Sequence, residues 1–147
     1  MTVYSDRFTG DELLTDADTL LEGGRHGEAV FEVQAVRLEQ SDEFDLVRRI
    51  GLEEIHMDKK DFQAYFRAYE KNVRDSLREE GKDGNAFRLR AEGCVKELLS
   101  YFDDLQFYVT GKGKQEYEAG KAMVVTSRYH GDAPDPVFSF WKDGLRS

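Results

Sequence analysis

Two consecutive amphipathic helices constrain the fold of this chain more than any other feature. In the segment 58–80, six apolar residues recur at helical spacing, namely Phe62, Tyr65, Phe66, Tyr69, Val73 and Leu77. At about 100° per residue they form a single apolar stripe. Asp58 is a favourable N-cap, and Gly81 is placed to end the helix. The pattern therefore predicts one long helix that buries a single face.

A second helix is predicted to follow almost at once. The segment 86–104 has apolar residues at the same spacing, namely Ala91, Cys94, Val95, Leu98, Leu99 and Phe102. Residues 81–85 are rich in turn-forming residues and are too few for a long excursion. The two helices should therefore form an antiparallel hairpin, with their stripes facing each other or a sheet.

Segments with two-residue periodicity lie on both sides of the helices. The strand candidates are residues 2–8, 30–38 and 44–55 before the pair, and 105–109, 122–129 and 136–142 after it. The apolar parity changes between Ala35 and Val36, which predicts a bulge. Glycines at 23, 24 and 27 predict a turn. Strands around an inserted helical hairpin at about 58–104 predict one α+β domain over residues 1–147, with a mainly antiparallel sheet.

The charge is concentrated in the first part of the chain. Residues 1–56 carry 14 acidic and 5 basic side chains, which accounts for the whole net charge of −9. Such a field disfavours nucleic acid and favours cationic surfaces or metal ions, although it equally serves solubility. A start without a signal-peptide pattern, and no apolar run near roughly 20 residues, predict a cytoplasmic protein.

The residues that most often carry catalysis or bind metals are scattered. His26, His56 and His130 lie far apart, and the single Cys94 falls on the apolar face of a helix, where a buried, inert thiol is expected. Residues 111–114 lack the frame of a phosphate-binding loop and are interpreted as a flexible basic loop. Asp16 and Asp18 do not begin an EF-hand, because Leu21 stands where that loop needs glycine. We therefore predict no enzyme, no catalytic residue, no cofactor and no built metal site.

Several local patterns resemble the translationally controlled tumour protein (TCTP) family. They are Val3-Tyr4-Ser5-Asp6, the run 11–16, Phe31-Glu32-Val33, the helix 62–80, the junction 102–109 and the ending Phe140-Trp141-Lys142-Asp143-Gly144-Leu145. Their order and spacing span nearly the whole chain. The resemblance implies a tent-like, mainly antiparallel β-sheet assembly with a protruding helical hairpin. This fold is shared with zinc-binding partners of Rab GTPases, whose paired cysteine ligands are absent here.

The chain also departs from the family pattern. Members usually carry a long acidic insertion after the second group of strands, and only Gln40-Ser41-Asp42-Glu43 stands in that place. Near the junction, Lys112 reverses the charge of the glutamate that the family pattern contains. The chain is thus identified as a short, divergent member.

The resemblance implies a non-enzymatic, cytoplasmic protein-interaction module with weak calcium binding and tubulin or microtubule association through the hairpin. The residues that would carry the tubulin contact are Arg67, Lys71, Arg74 and Arg78. They follow at i, i+4, i+7 and i+11, opposite the apolar stripe. A solvated face of the helix is the other interpretation of this stripe.

A second functional interpretation concerns Asp11 and Glu12. The resemblance implies that Glu12 contacts a Ras-like small GTPase such as Rheb, so the chain would be an exchange factor or a nucleotide-free chaperone. A carboxylate entering a nucleotide pocket would compete with phosphate for Mg²⁺ or for the phosphate-loop lysine. The alternative is that the two acids only stabilise the start of a short helical turn.

Overall fold

The computed structural model describes residues 2–18 and 28–147, so the predicted glycine turn at 23–27 and His26 lie outside the described residues. Eight strands are described: β1 Val3–Asp6, β2 Glu12–Thr15, β3 Val30–Gln34, β4 Leu52–Ile55, β5 Gln106–Thr110, β6 Val125–Arg128, β7 Val137–Trp141 and β8 Leu145–Arg146. The α-helices are α1 Asp45–Ile50, α2 Lys59–Glu79, α3 Gly84–Ser100 and α4 Gly113–Glu116. Short 3₁₀ helices cover Phe102–Asp104, Tyr117–Ala119 and Lys142–Gly144.

The described strands form two antiparallel sheets. The small sheet has the order β2-β1-β8, and the large sheet has the order β3-β7-β6-β5-β4. In the small sheet the first described strand pairs with the last, with Ser5 opposite Arg146 and Asp6 opposite Leu145. Antiparallel sheets with helices between their strands confirm the predicted α+β class.

The helical hairpin is present and begins with the cap that the sequence indicated. The Asp61 amide donates to the Asp58 carboxylate at 2.7 Å, and the Asp58 amide donates back to the Asp61 carboxylate at 3.2 Å. This capping box fixes the start of α2. All six residues of the predicted stripe are buried. The second helix starts two residues earlier than predicted, after an Asp83 cap, and its last predicted turn is the 3₁₀ helix Phe102–Asp104.

The hairpin packs its apolar stripe against the large sheet. The rings of Phe62 and Phe107 lie 5.6 Å apart, and those of Phe66 and Trp141 lie 4.9 Å apart. Aromatic pairs at such separations add to the free energy gained from burial alone. The hairpin is thus fixed to the sheet along the face that the sequence pattern defined.

The prediction of one strand over residues 44–55 is wrong. This segment forms α1 and then β4, separated by Gly51, whose φ of +80° ends the helix in the left-handed region. The Asp45 carboxylate accepts from the amides of Leu46 at 2.7 Å and Val36 at 3.0 Å, which holds the first turn of α1. Local capping therefore outweighs the even spacing of apolar residues that suggested a strand.

The predicted bulge is also misplaced. Strand β3 ends at Gln34, and Val36 lies beyond it with 56% of its surface exposed. The described bulge lies instead in β2, where the partner changes from Leu14, opposite Tyr4, to Glu12, opposite Ser5, and Leu13 has no residue opposite it. The parity change thus marks the end of a strand. Beyond it, the Leu38 amide donates to the Glu43 carbonyl at 2.8 Å and closes a tight turn.

Candidate interaction surfaces

Asp11 and Glu12 lie at the edge of the small sheet in very different surroundings. Glu12 begins β2, so the expected helical turn is wrong. The Asp11 carboxylate accepts a 2.5 Å hydrogen bond from the Thr110 hydroxyl and lies 3.7 Å from the Lys112 ammonium, whereas the Glu12 side chain is exposed. Asp11 therefore links the two sheets, and Glu12 is the one of the pair that a partner can reach.

Asp6 builds the turn that presents this acidic pair, and sequence reasoning missed it. Its carboxylate accepts from the amides of Phe8 at 2.8 Å, Thr9 at 3.3 Å and Met123 at 2.8 Å. Burial raises the pKa of Asp6, although these amides oppose the shift. The sequence did contain a local signal for this turn, because an aspartate two residues before Phe-Thr-Gly is typical of a side chain that caps a turn. The contact with Met123 is long-range, and no local sequence pattern indicates it.

The loop after β5 is ordered, which corrects its interpretation as a flexible basic loop. The Gly113 amide donates to the Thr110 hydroxyl at 3.0 Å, the same hydroxyl that donates to Asp11, and α4 follows. A hollow of about 590 Å³ lies between this loop and the β1–β2 turn, with Phe8, Lys112 and Lys121 in its wall. The Lys121 ammonium lies 5.6 Å from the centre of the Phe8 ring. Cations thus flank the acidic edge.

Two of the four cations in the basic stripe on α2 form ion pairs with acidic residues of the same helix. Lys71 pairs with Asp75 at 3.0 Å, and Arg74 lies 3.5 Å from Glu70. The stem of Arg74 also lies against the start of α3: a Cβ added at Gly84 would come within 2.6 Å of its Cγ. Arg74 is therefore a packing residue at the hairpin corner.

Lys71 is exposed but paired, so Arg67 and Arg78 are the members of the stripe that are accessible without an ion pair in the described ranges. Both are exposed, and neither forms an ion pair with any residue in the described ranges. Arg78 donates to the Asn85 side-chain oxygen at 3.0 Å. The four predicted cations are thus not brought together as one uniform basic surface.

A network of charges holds the turn end of the hairpin, where α2 leads into α3, against residues near both ends of the chain. Arg7 is buried, donates to the Asp143 carbonyl at 2.8 Å and to the Ser76 hydroxyl at 3.2 Å, and pairs with Glu80. Arg146 also binds Glu80, at 2.6 Å. The hydrogen bond from Arg146, with Lys82 and Arg7 beside it, lowers the pKa of Glu80 to about 2.

The C-terminal Lys-Asp-Gly sequence takes part in the same lock. The Asp143 carboxylate pairs with Arg90 of α3 at 3.0 Å. At Gly144 an added Cβ would lie 2.0 Å from the Tyr69 hydroxyl, so a side chain is sterically excluded. These residues resembled a family signature in the sequence, and here they hold α2 and α3 in place.

The structure supplies no converging metal or nucleophile site among the residues it describes. Burial raises the pKa of the Cys94 thiol to about 12, so the thiolate that nucleophilic chemistry requires does not form near neutral pH. His56 and His130 are exposed, and no group of three or more His, Cys, Asp or Glu side chains in residues 2–18 and 28–147 is placed to hold a metal ion. The donors in the described ranges therefore do not form a calcium cage. None of the described helices is long and apolar enough to cross a membrane.

These features define an α+β domain of two antiparallel sheets and a helical hairpin that buries one face, with its charged groups on outer surfaces. The family profile of the translationally controlled tumour protein matches residues 36–146. Homologues from Neurospora crassa and Candida albicans are each 31% identical, over 99% of this chain and 98% of theirs. The chain belongs to the translationally controlled tumour protein family.

Solved structures agree with this assignment. The Schizosaccharomyces pombe protein p23fyp superposes with a TM-score of 0.78 at 29% identity, covering 99% of this chain and 98% of its own. The Caenorhabditis elegans protein gives a TM-score of 0.75 at 22% identity and supports the fold alone. The alignment to the Neurospora crassa homologue spans 171 positions, against 147 residues here. That homologue therefore contains residues that this chain lacks.

Proposed function

We propose that the chain is a non-enzymatic, cytoplasmic protein-interaction module whose exposed Glu12 contacts a Ras-like small GTPase. The observation that carries this proposal is the contrast between Asp11, which is held by Thr110 and Lys112, and Glu12, which is exposed on an edge strand. A carboxylate on a fixed strand loses little conformational freedom when a partner binds it. In a nucleotide pocket it would compete with phosphate for Mg²⁺ or for the phosphate-loop lysine.

The test is nucleotide release from purified Rheb loaded with fluorescent GDP. The wild-type chain should bind the GTPase and speed release, and Glu12→Ala should weaken both by about tenfold, the loss expected for one charged contact. Glu39→Ala, which removes an exposed acid elsewhere, is the matched control. Binding without faster release would assign the chain to the adaptors, and a Glu12→Ala variant equal to wild type would exclude this contact.

Tubulin binding through the hairpin is the second candidate. It is supported by Arg67 and Arg78, which are exposed and form no ion pair in the described ranges, and by the acidic character of tubulin tails. Arg67→Glu with Arg78→Glu should abolish co-sedimentation with microtubules. Arg88→Glu with Lys96→Glu makes the same charge change on α3 and should leave pelleting intact. Arg74 is unsuitable for this test because its stem packs on Gly84.

Calcium binding belongs to the proposal only as a weak property. The acidic residues before His56 attract cations, but none of those described converge as Ca²⁺ coordination requires. Titration calorimetry should therefore give a dissociation constant no tighter than about 10⁻⁴ M, the range of weak calcium modules. Micromolar affinity would contradict this expectation.

A further inference from the structure

We propose that the outer edge of β4, together with the hollow at its end, binds an extended basic segment of a partner protein by strand addition. This surface is separate from Glu12 and does not depend on the GTPase proposal. It combines an open strand edge, an apolar floor and an acidic rim. In strand addition the open strand edge provides affinity through backbone hydrogen bonds, and the apolar floor and acidic rim provide specificity through side-chain contacts.

The edge of β4 is open within the part of the chain that the structure describes. Strand β4 is the last strand of the large sheet and pairs only with β5, from Leu52 opposite Thr110 to Ile55 opposite Phe107. Apart from the ladder to β5, residues 52–57 form no backbone hydrogen bond with any described residue. An edge strand of this kind presents alternate unpaired N–H and C=O groups to a further strand.

A hollow of about 430 Å³ continues from the end of this edge. Its apolar lining includes Met57, Phe102, Leu105 and Phe107, all of which are largely buried. A strand added along β4 and extended past Ile55 would direct alternate side chains over this floor. The hollow therefore provides apolar contact where the ladder of hydrogen bonds ends.

The rim of the hollow selects a cationic partner. Glu54, Asp58 and Asp103 line it, and its basic side chains are those of Lys59 and His56. Glu53 is also exposed on β4 and lies 3.6 Å from Lys114. Successive side chains of β4 point to opposite faces of the sheet, so lysine or arginine on the Glu54 face of the added strand would lie opposite that carboxylate. Cross-strand pairs of opposite charge are stabilising.

The same charges argue against a second copy of this chain as the occupant. Two β4 strands paired antiparallel would bring Glu53 and Glu54 of each copy close to those of the other, and like charges opposite each other are destabilising. Acidic side chains thus protect the edge from self-association while leaving it open to a basic strand. The occupant that fits is an extended segment in which lysine or arginine alternates with apolar residues.

The probe is a labelled, capped peptide of about eight residues, a typical strand length, with alternating lysine and valine. Fluorescence anisotropy should detect binding, and amide hydrogen exchange in residues 52–57 should slow. A version N-methylated at alternate residues keeps the charge but cannot complete the ladder, so its affinity should fall about tenfold or more. A glutamate–valine peptide should not bind.

Two charge reversals locate the site. Glu54→Lys with Asp103→Lys should weaken peptide binding about tenfold, whereas the matched pair Glu79→Lys with Glu92→Lys on the helices should not. Circular dichroism melts confirm that each variant folds.

Three outcomes would overturn the proposal. Equal losses of peptide affinity in both pairs of variants, or no effect of N-methylation, would show that the attraction is non-specific. Dimers of the wild-type chain formed through β4 would overturn it too. Glu12→Ala should leave peptide binding unchanged, which separates this test from the GTPase test.

Discussion

The turn end of the hairpin and the outer surface of the chain use similar charged residues in opposite ways. At the turn end, Arg7 is enclosed, with only 3% of its side chain exposed, and binds Glu80, Ser76 and the Asp143 carbonyl. On the surface, the Arg48 side chain is 65% exposed and pairs with Glu43 at 2.6 Å. Removing a charge that is enclosed and hydrogen-bonded leaves its buried partners unpaired, whereas an exposed pair contributes little to stability and is available to partners.

The largest expected effect comes from the close contact between Gly144 and Tyr69 of α2. Gly144→Ala places a methyl group 2.0 Å from the Tyr69 hydroxyl and 2.7 Å from the Met123 side chain. We expect a loss of about 3 kcal/mol in the free energy of unfolding, measured by urea denaturation, because overpacking forces neighbours to move. Gly111→Ala is the control, since its nearest neighbour is a Glu53 oxygen at 3.7 Å. Equal effects at the two glycines would contradict the close packing at Gly144.

A matched pair of arginine substitutions tests the comparison directly. Arg7→Met should lower the free energy of unfolding by about 2 kcal/mol, because the Asp143 carbonyl and the Ser76 hydroxyl lose their donor. Arg48→Met removes an exposed ion pair and should change the free energy of unfolding by less than about 0.5 kcal/mol. Urea denaturation measures both. If Arg48→Met proved as costly as Arg7→Met, enclosure would not be what distinguishes the two regions.

The dependence of stability on pH isolates Glu80. Its pKa of about 2 lies below the ordinary 4.5, so its ionised form stabilises the folded state above pH 4.5, and this contribution is lost as pH falls toward 2. Glu80→Gln should therefore lower stability at neutral pH by about 1 kcal/mol, a value reduced for the partial exposure of the carboxylate. The deficit should shrink on acidification. A constant deficit would show that charge is not responsible.

The pKa of Asp6 shifts in the opposite direction to that of Glu80, and this shift does not affect the comparison between wild type and Glu80→Gln. Because burial raises its pKa, protonation of Asp6 favours the folded state at low pH, and that contribution is lost as pH rises through the folded-state value. It is present in both wild type and Glu80→Gln, so it cancels in their difference.

The smallest effects are expected from two stacked tyrosines of α2. The Tyr65 hydroxyl accepts from the Val124 amide at 2.9 Å, whereas the buried Tyr69 hydroxyl has no hydrogen-bond partner among the described residues. Tyr65→Phe should cost about 1 kcal/mol, and Tyr69→Phe close to none, because only the first leaves a buried donor unpaired. Thermal denaturation of the two variants measures the difference. The reverse order would indicate a partner for Tyr69.

The sequence predicted the hairpin well because its signals are local and repeated. The stripe of α2 runs from Phe62 to Leu77, which is about four turns at 3.6 residues per turn, and Asp58 marks the start of the helix. Helix α1 has only six residues and strand β2 only four, so neither shows enough periods to identify it. In β2 the adjacent Leu13 and Leu14 are both buried, which removes the alternation typical of a strand.

The candidate sites were predicted only as residue types. Asp11 and Glu12 are neighbours in sequence, and what separates their roles is a hydrogen bond from Thr110, 99 positions away. Arg74 similarly looked like part of an exposed stripe until its contact with Gly84 placed it at the hairpin corner. Charge and periodicity indicate which residues reach the surface, but long-range contacts decide which of them are free to bind.

The pairing of β1 with β8 sets an order for folding during synthesis. Ser5 and Asp6 leave the ribosome early, yet their partners Arg146 and Leu145 are made nearly the whole chain later. Until then the edge of β1 that pairs with β8 has no partner strand, and Arg7 cannot donate its hydrogen bond to the Asp143 carbonyl. The helical hairpin, whose contacts are local, can form in the meantime. The nascent chain should therefore complete its small sheet last, and it is in that interval that an unpaired strand is most open to chaperones or to mispairing.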